Sequence, residues 1–254
     1  MQLLHRSTRR QRLSDEGRRF LASIRELLDA IDRAEAQIGT PEPAGDLRVS
    51  APRAFGMDQI VPRLPAFLAV HPRIVLHLSL SDSLVRLIED GIDVAVRMGR
   101  LRDSSLMSRK LCDLQRVVVA APAYVAAHGA PMVPMDLEQH NCLMWKGPQD
   151  HLNRWPFIVD GERVEVCACG NFRSSDGTTL FQLCVAGVGV MRLAEHMAVP
   201  AIRSGRLVPL LSDWLAHDDT AIHAVFPAER QLVSRVRSFV DHLVESFRQP
   251  PWTG

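Results

Sequence analysis

The sequence has little of what a disulfide-stabilised or metal-dependent protein needs. Its 254 residues contain five cysteines, an odd number spread from position 112 to position 184, and this spacing does not suit a disulfide framework. Cys167 and Cys169 are close neighbours, but no C-x-x-C pair or matching histidine cluster accompanies them, so we expect no zinc site. We expect structural roles for the cysteines, with redox sensing as the alternative, and no cofactor.

Enzyme motifs are missing as well. The sequence has no G-x-S-x-G nucleophile elbow, no P-loop and no G-x-G-x-x-G segment that opens a helix. Its ten histidines are scattered, and none shows the i, i+4 pairing of a metalloprotease. We therefore predict that the protein is not an enzyme.

Long apolar runs are also absent. No window approaches the roughly 20 apolar residues that a membrane-spanning helix needs. Residues 18–21 look like a twin-arginine signal, but charged residues follow where such a signal requires an apolar stretch. We expect a cytoplasmic protein that does not bind membranes.

Positive charge is concentrated near the start of the chain. The formal net charge is only +1, yet residues 6–21 contain six arginines against two acidic residues. Taken alone, such a segment reads as a solvated basic end. Phosphate binding is the alternative that a nucleic-acid partner would require.

A helix is predicted over residues 14–38, directly after the basic segment. Ser14 suits the N-cap, and Gly39 and Pro41 end the helix. Apolar residues recur at alternating steps of four and three, which is typical of a coiled-coil seam. We interpret this as a dimerisation helix, although a surface helix packed on its own domain has the same pattern. The seam residues are Phe20, Ile24, Leu27, Ile31, Ala34 and Ile38.

The rest of the chain alternates between short strands and helices. Strands at 47–51, 73–81 and 93–99 enclose helices at 57–70 and 83–90, and this order predicts a parallel sheet covered by helices on both faces. The fold class is therefore α/β. Further strands are predicted at 116–122, 141–145, 156–169, 188–193, 206–210 and 221–227, and further helices at 122–128, 177–187 and 229–247. The last helix has one apolar face made of Leu232, Val236, Phe239, Val240, Leu243 and Phe247.

Polar loops follow the first and third of these strands. In open α/β sheets, ligands bind beyond the carboxyl ends of the strands. The loops at 50–56 and 97–105 carry hydroxyl groups and arginines, which suit a small anion such as a carboxylate. The alternative is that these loops are polar only because they lie on the surface.

The ordered series of segments resembles a LysR-type transcriptional regulator over essentially the whole chain. The stretch "LLHRSTRRQRLSDEGRRFL" is similar to the family's wing and the start of its linker helix. The segments "LIEDGIDVAVRMGRLRDSSLMSRKL", "APAYVAAHGAP", "HNCLMW" and "AGVGVMRL" continue in the order of the family's effector-binding domain.

The resemblance implies an N-terminal linker helix followed by a two-lobed, periplasmic-binding-protein-like effector domain with two crossover strands. Residues 1–13 would be the remnant of a winged helix-turn-helix, 14–39 the linker helix and 46–248 the effector-binding domain. Lobe one would comprise 46–120 and 224–248, and lobe two 121–223. The resemblance does not include the recognition helix, so we expect no operator-specific binding by this chain alone.

The resemblance also assigns roles to particular residues. The implied partners are DNA for a full-length form, a small-molecule effector, and further copies of the chain in a homodimer or homotetramer. The implied wing contacts to DNA come from Arg6, Thr8, Arg9 and Arg10. The implied effector-binding residues are Ser50, Pro52, Arg53, Phe55, Ser81, Arg97, Gly99 and Ser104 in lobe one, and Ser174, Ser175 and Asp176 in lobe two.

One alternative function stays open at this point. A free-standing small-molecule-binding module that does not touch DNA would also contain these two lobes. The missing recognition helix favours that alternative, whereas the apolar stripe of the linker helix favours a regulator.

Overall fold

The computed structural model describes residues 3–7, 10–17, 19–21, 23, 24, 27, 30, 42–83, 87–99, 106–147 and 150–253. At the N-terminus, β1 (Leu4–Ser7) and β2 (Arg10–Leu13) pair as an antiparallel hairpin. The described residues from 15 to 30 are helical, as the sequence predicts. The Ser14 hydroxyl accepts a hydrogen bond from the Gly17 N–H at 2.9 Å, which makes Ser14 an N-cap.

A five-stranded mixed sheet forms lobe one. Its strands are β3 (Gly45–Ala51), β4 (Ile74–Leu80), β5 (Val94–Met98), β6 (Leu106–Asp113) and β14 (Ala221–Pro227). The order is β4-β3-β5-β14-β6. The expected parallel pairing holds for β4, β3 and β5, while β14 runs antiparallel to both β5 and β6.

Helices bury one face of this sheet. Helix α1 (residues 53–70) is a continuous helical run whose middle is a π-helical turn and a 3₁₀ turn. The last helix of the fold, Ser234–Ser246, packs Val236, Phe239 and Val240 into the same core. Two predictions are wrong here. Leu232 lies before this helix and is exposed, and residues 87–90 form a hydrogen-bonded turn rather than the end of a helix.

Lobe two is built from three small sheets. β7 (Arg116–Ala120) lies between β12 (Met191–Ala194) and β13 (Val208–Leu210), β8 (Leu143–Trp145) pairs with β11 (Phe172–Ser174), and β9 (Arg154–Val159) pairs with β10 (Glu162–Cys167). Its helices are α2 (Pro122–His128), α3 (Gly177–Val185) and α4 (Glu195–Arg203), so Ser234–Ser246 is α5.

The structure moves both predicted lobe boundaries. β7 was expected in lobe one, but it pairs only with strands of lobe two. Residues 221–223 were expected in lobe two, but they belong to β14 in lobe one. The chain therefore crosses between the lobes at residues 114–115 and again at 218–220, just outside these strands. Trp252 also packs into the core of lobe one, beyond the predicted end at residue 248.

Within the described residues, no helix has both the length and the apolar character that crossing a membrane requires.

Candidate functional site

The first part of the candidate site is the end of β3. Ser50 is fully buried, and its Oγ has no hydrogen-bond partner among the described residues. Pro52 then precedes helix α1 as its N-cap residue. The Arg53 N–H donates to Asp82 Oδ1 at 3.0 Å, and the Ser81 N–H donates to the Ala51 carbonyl at 3.0 Å. These bonds hold the loops after β3 and β4 together.

The second part lies on the adjacent strands of the same sheet. Ser50 is paired with Ala95, two residues before Arg97, so Ser50 and Arg97 lie on one face. His223 of β14 lies directly opposite Arg97. Arg97 Nη1 donates to the Val96 carbonyl at 2.9 Å, but Arg97 Nη2 and His223 Nδ1 are buried without a partner in the described structure.

Burial changes the pKa values of the basic groups on this face. It lowers the pKa of the Arg97 guanidinium. It also lowers the pKa of His223, with the charge of Lys110 acting in the same direction and that of Asp113 opposing it. An arginine still keeps its charge because its ordinary pKa lies far above neutral pH. The face therefore carries a cation that pairs with no carboxylate in the part of the chain described.

Lobe two contributes the segment before helix α3. Asp176 is the N-cap of this helix, since its Oδ1 accepts from the Thr179 N–H at 2.7 Å and from the Thr179 hydroxyl at 2.9 Å. The Ser174 hydroxyl accepts from the Asp176 N–H at 3.1 Å. Ser175 is exposed. Capping thus fixes the position of the Asp176 carboxylate.

An ion pair joins the two lobes across the site. Arg53 Nε lies 3.2 Å from Asp176 Oδ2, so the charges of these two predicted site residues cancel each other. Both side chains remain partly exposed, and such a pair contributes only about 0–1 kcal/mol to stability. The structure thus brings the loop after β3 into direct contact with the start of α3.

Phe55 packs among aromatic rings at the contact between the lobes. Its ring is fully buried. It packs edge-on against His196 of lobe two with ring centroids 5.2 Å apart, and against Phe247 at 5.3 Å and Trp252 at 6.2 Å. The Phe55 ring, two residues after Arg53 in the chain, therefore forms part of a contact between the lobes.

A buried ion-pair network holds the two crossings together. Arg192 Nη2 donates to both carboxylate oxygens of Asp218 at 2.6 Å, and the Arg116 N–H donates to Asp218 Oδ2 at 3.0 Å. The Gln115 side chain bonds both the N–H and the carbonyl of Asp218. Leu114 N–H donates to the Thr220 carbonyl at 2.9 Å. The two crossing segments are therefore bonded to each other and to β12 of lobe two.

The other predicted residues are distributed as follows. Gly99 has a φ of +103° and closes β5 by donating its N–H to the Ala221 carbonyl. Arg6 and Arg10 lie in the strands of the β1–β2 hairpin. Phe20, Ile24 and Leu27 are exposed on the described part of the linker helix. Ser104, Thr8, Arg9, Ile31, Ala34 and Ile38 lie outside the described residues.

Two residues of the site were missed by sequence reasoning. His223 sits in a strand that the sequence predicts, but its position opposite Arg97 depends on strand register. Asp218 lies in the second crossing segment and forms an ion pair with Arg192, which is 26 positions earlier in the sequence. No local pattern marks either pairing. Across the described chain, no group of three or more His, Cys, Asp or Glu side chains is placed to hold a metal ion.

Comparison with known proteins gives this geometry a context. Residues 40–248 match the family description "LysR substrate binding domain". The chain is 36% identical over 255 residues to the HTH-type transcriptional repressor PA14_22550 of Pseudomonas aeruginosa, covering 99% of this chain and 80% of that protein. It is 32% identical over 245 residues to the HTH-type transcriptional regulator CrgA of Neisseria meningitidis, covering 96% and 81%.

The solved structures agree. The structure of CrgA, a LysR-type transcriptional regulator, superposes with a TM-score of 0.77 at 31% identity, covering 98% of this chain and 85% of that one. Its regulatory domain alone superposes with a TM-score of 0.75, covering 81% of this chain and 100% of that one. The two-lobed fold is therefore that of a LysR effector-binding domain. The chain belongs to the family of LysR-type transcriptional regulators.

Proposed function

We propose that the chain senses a small-molecule effector bound between its two lobes and passes the change to DNA-binding segments through the linker helix. The observation that carries this proposal is the Arg53–Asp176 contact, which makes the closure of the lobes depend on residues inside the cleft. A ligand that binds one arrangement of the lobes better than another shifts the population toward that arrangement. The fixed pivot at Asp218 supports a hinge of this kind.

The effector that fits this cleft is a carboxylate. Arg53 and Asp176 neutralise each other, whereas Arg97 is a partly buried cation with no carboxylate partner among the described residues. Ser50 Oγ and Arg97 Nη2 have unused hydrogen-bonding capacity on the same sheet face. An acid group at this position would satisfy both, and buried polar groups are costly to leave unpaired.

The proposed role of the cleft is binding rather than catalysis, because the relatives are transcriptional regulators. We place the protein in the cytoplasm, where a bacterial regulator of this family meets the chromosome. We propose a homodimer or homotetramer, because the exposed apolar residues of the linker helix need a partner surface. The same exposed residues argue against the alternative, a free-standing binding module.

A thermal-shift experiment with pairs of small acids and their amides tests the cleft proposal. We expect at least one carboxylate to raise the melting temperature where its amide does not. Arg97→Gln should remove that shift, while Arg154→Gln, which changes an exposed arginine of lobe two, should retain it. The proposed anchor would be contradicted if every carboxylate that stabilises the native protein stabilised Arg97→Gln equally.

A further inference from the structure

A groove lies between the edge strand β6 and helix α5 of lobe one, and it encloses about 230 Å³. Phe226, Val236 and Val240 line it and are buried. Met107 and Leu232 also line it, but they are 38% and 57% exposed. The groove therefore combines an apolar floor with an apolar margin that is open to solvent.

This groove lies on the sheet face opposite to the one that carries Arg97 and His223. Successive side chains of a strand point to opposite faces. His223 and Phe226 are three positions apart in β14, so they point away from each other. Val96 packs into the same core as Val236 and Val240, whereas its neighbour Arg97 points to the opposite face of the sheet. A ligand in the groove would not meet Arg97.

The charged side chains that border the groove include more cations than anions. Arg109 Nη1 lies 3.8 Å from Asp241 Oδ1, and both side chains are about half exposed. Arg237 lies one helical turn before Asp241 and lines the same groove, and it forms no ion pair with the described part of the chain. Two cations against one anion leave a single positive charge beside the apolar floor, which favours a monoanion.

We propose that this groove is a second ligand site, for a small apolar monocarboxylic acid whose body covers Phe226 and Val240 while its carboxylate meets Arg237 and Arg109. Pockets for drug-sized ligands usually have about 300–1,000 Å³. The smaller volume here suits an acid with a single ring or a short chain. Site occupancy would cover Leu232 and Met107, the two exposed apolar side chains at the margin.

NMR on protein labelled at the methionine methyl groups tests the proposal with benzoate as the probe. We expect a saturable shift of the Met107 methyl resonance. Benzamide keeps the ring but lacks the charge, so it should bind about tenfold more weakly. Arg237→Gln should weaken benzoate binding by about the same factor because it removes the charged partner. Arg154→Gln should leave the affinity unchanged.

The same titration separates this site from the cleft. His223 is paired with Arg97 on the opposite face of the sheet, and its imidazole resonances report on that face when the protein is labelled at histidine as well as methionine. A saturable shift of His223 with none at Met107 would assign the acid to the cleft and overturn the second site. No shift of Met107 up to the solubility limit of sodium benzoate, or an unchanged affinity in Arg237→Gln, would also overturn it. These outcomes leave the proposed effector cleft unaffected.

Discussion

His196 lies in the contact between the lobes, where its ring is almost fully buried against Phe55 and Trp252. Burial, with a smaller contribution from the charge of Arg116, lowers its pKa from 6.5 to about 3. Asp58 of α1 faces the ring, with Oδ2 4.0 Å from His196 Nδ1, and burial raises the pKa of that carboxyl group. The interlobe contact therefore requires a neutral imidazole.

This burial predicts a loss of stability in acid. Below pH 6.5 the unfolded chain takes up a proton at His196, while the folded protein does not until about pH 3. Since the unfolded state then binds more protons, this contribution is complete above pH 6.5 and falls as the pH drops. At about pH 5 the loss is about 2 kcal/mol. Urea unfolding of the native protein and His196→Phe at two pH values measures it.

The matched control is His217→Gln, which changes an exposed histidine. It should keep the full pH dependence of the native protein, whereas His196→Phe should lose about 2 kcal/mol of it. Equal pH dependence in all three proteins would show that His196 is protonated without opening the contact.

Individual site residues were predictable from the sequence to different degrees. The rule that ligands lie beyond strand ends selected Ser50, Arg53 and Arg97 as candidates, because it needs only the order of the elements. Phe55 was a candidate only through the family resemblance, and its packing against His196 of the other lobe depends on a long-range contact that no local pattern encodes. His223 required strand register, which is set by long-range pairing that no local pattern encodes.

At the level of elements, the proposed assembly depends on the linker helix. Phe20, Ile24 and Leu27 are exposed apolar side chains at coiled-coil spacing. We predict that Ile24→Glu combined with Leu27→Glu weakens self-association by about a hundredfold, or about 3 kcal/mol, because two apolar contacts are lost. Sedimentation equilibrium measures the change.

Arg19→Glu is the control, because it changes the net charge by the same two units at an exposed position off the stripe. It should leave the association constant close to that of the native protein. If Arg19→Glu weakens association as much as the double variant does, the effect is general charge repulsion and the helix is not the contact.

Most elements were predictable because periodicity and turn chemistry are local. The exceptions show where such reasoning stops. The strand predicted over 156–169 is a hairpin, β9 and β10, joined at Asp160 and Gly161, whose positive φ values of 52° and 83° form a tight turn. The Asp-Gly pair is the local sequence signal for such a turn. Strand β6 was missed because its exposed middle residues lack regular alternation.

On the scale of the whole molecule, three of the contacts that link the lobes in the described part of the chain differ in strength. The Arg53–Asp176 pair is partly exposed and weak. The contact of Phe55 with His196 is apolar and buried. The crossing segments are fixed by the buried Arg192–Asp218 pair. This order of strengths suits the proposed hinge, in which a ligand opens the contact between Arg53 and Asp176 while the crossing segments stay fixed.

The pivot gives the sharpest prediction at this scale. Asp218→Asn leaves Arg192 and Arg116 buried without their counter-charge, and breaking one partner of a buried pair costs about 3–5 kcal/mol. Asp219→Asn changes the adjacent side chain, which is 73% exposed, and should cost less than about 0.5 kcal/mol. Urea unfolding followed by tryptophan fluorescence compares them.

Adding Arg192→Met to Asp218→Asn should recover part of the loss, because the uncompensated charge disappears with the guanidinium. If Asp218→Asn costs no more than Asp219→Asn, the network does not hold the crossings, and the pivot must instead lie in the aromatic contact around Phe55.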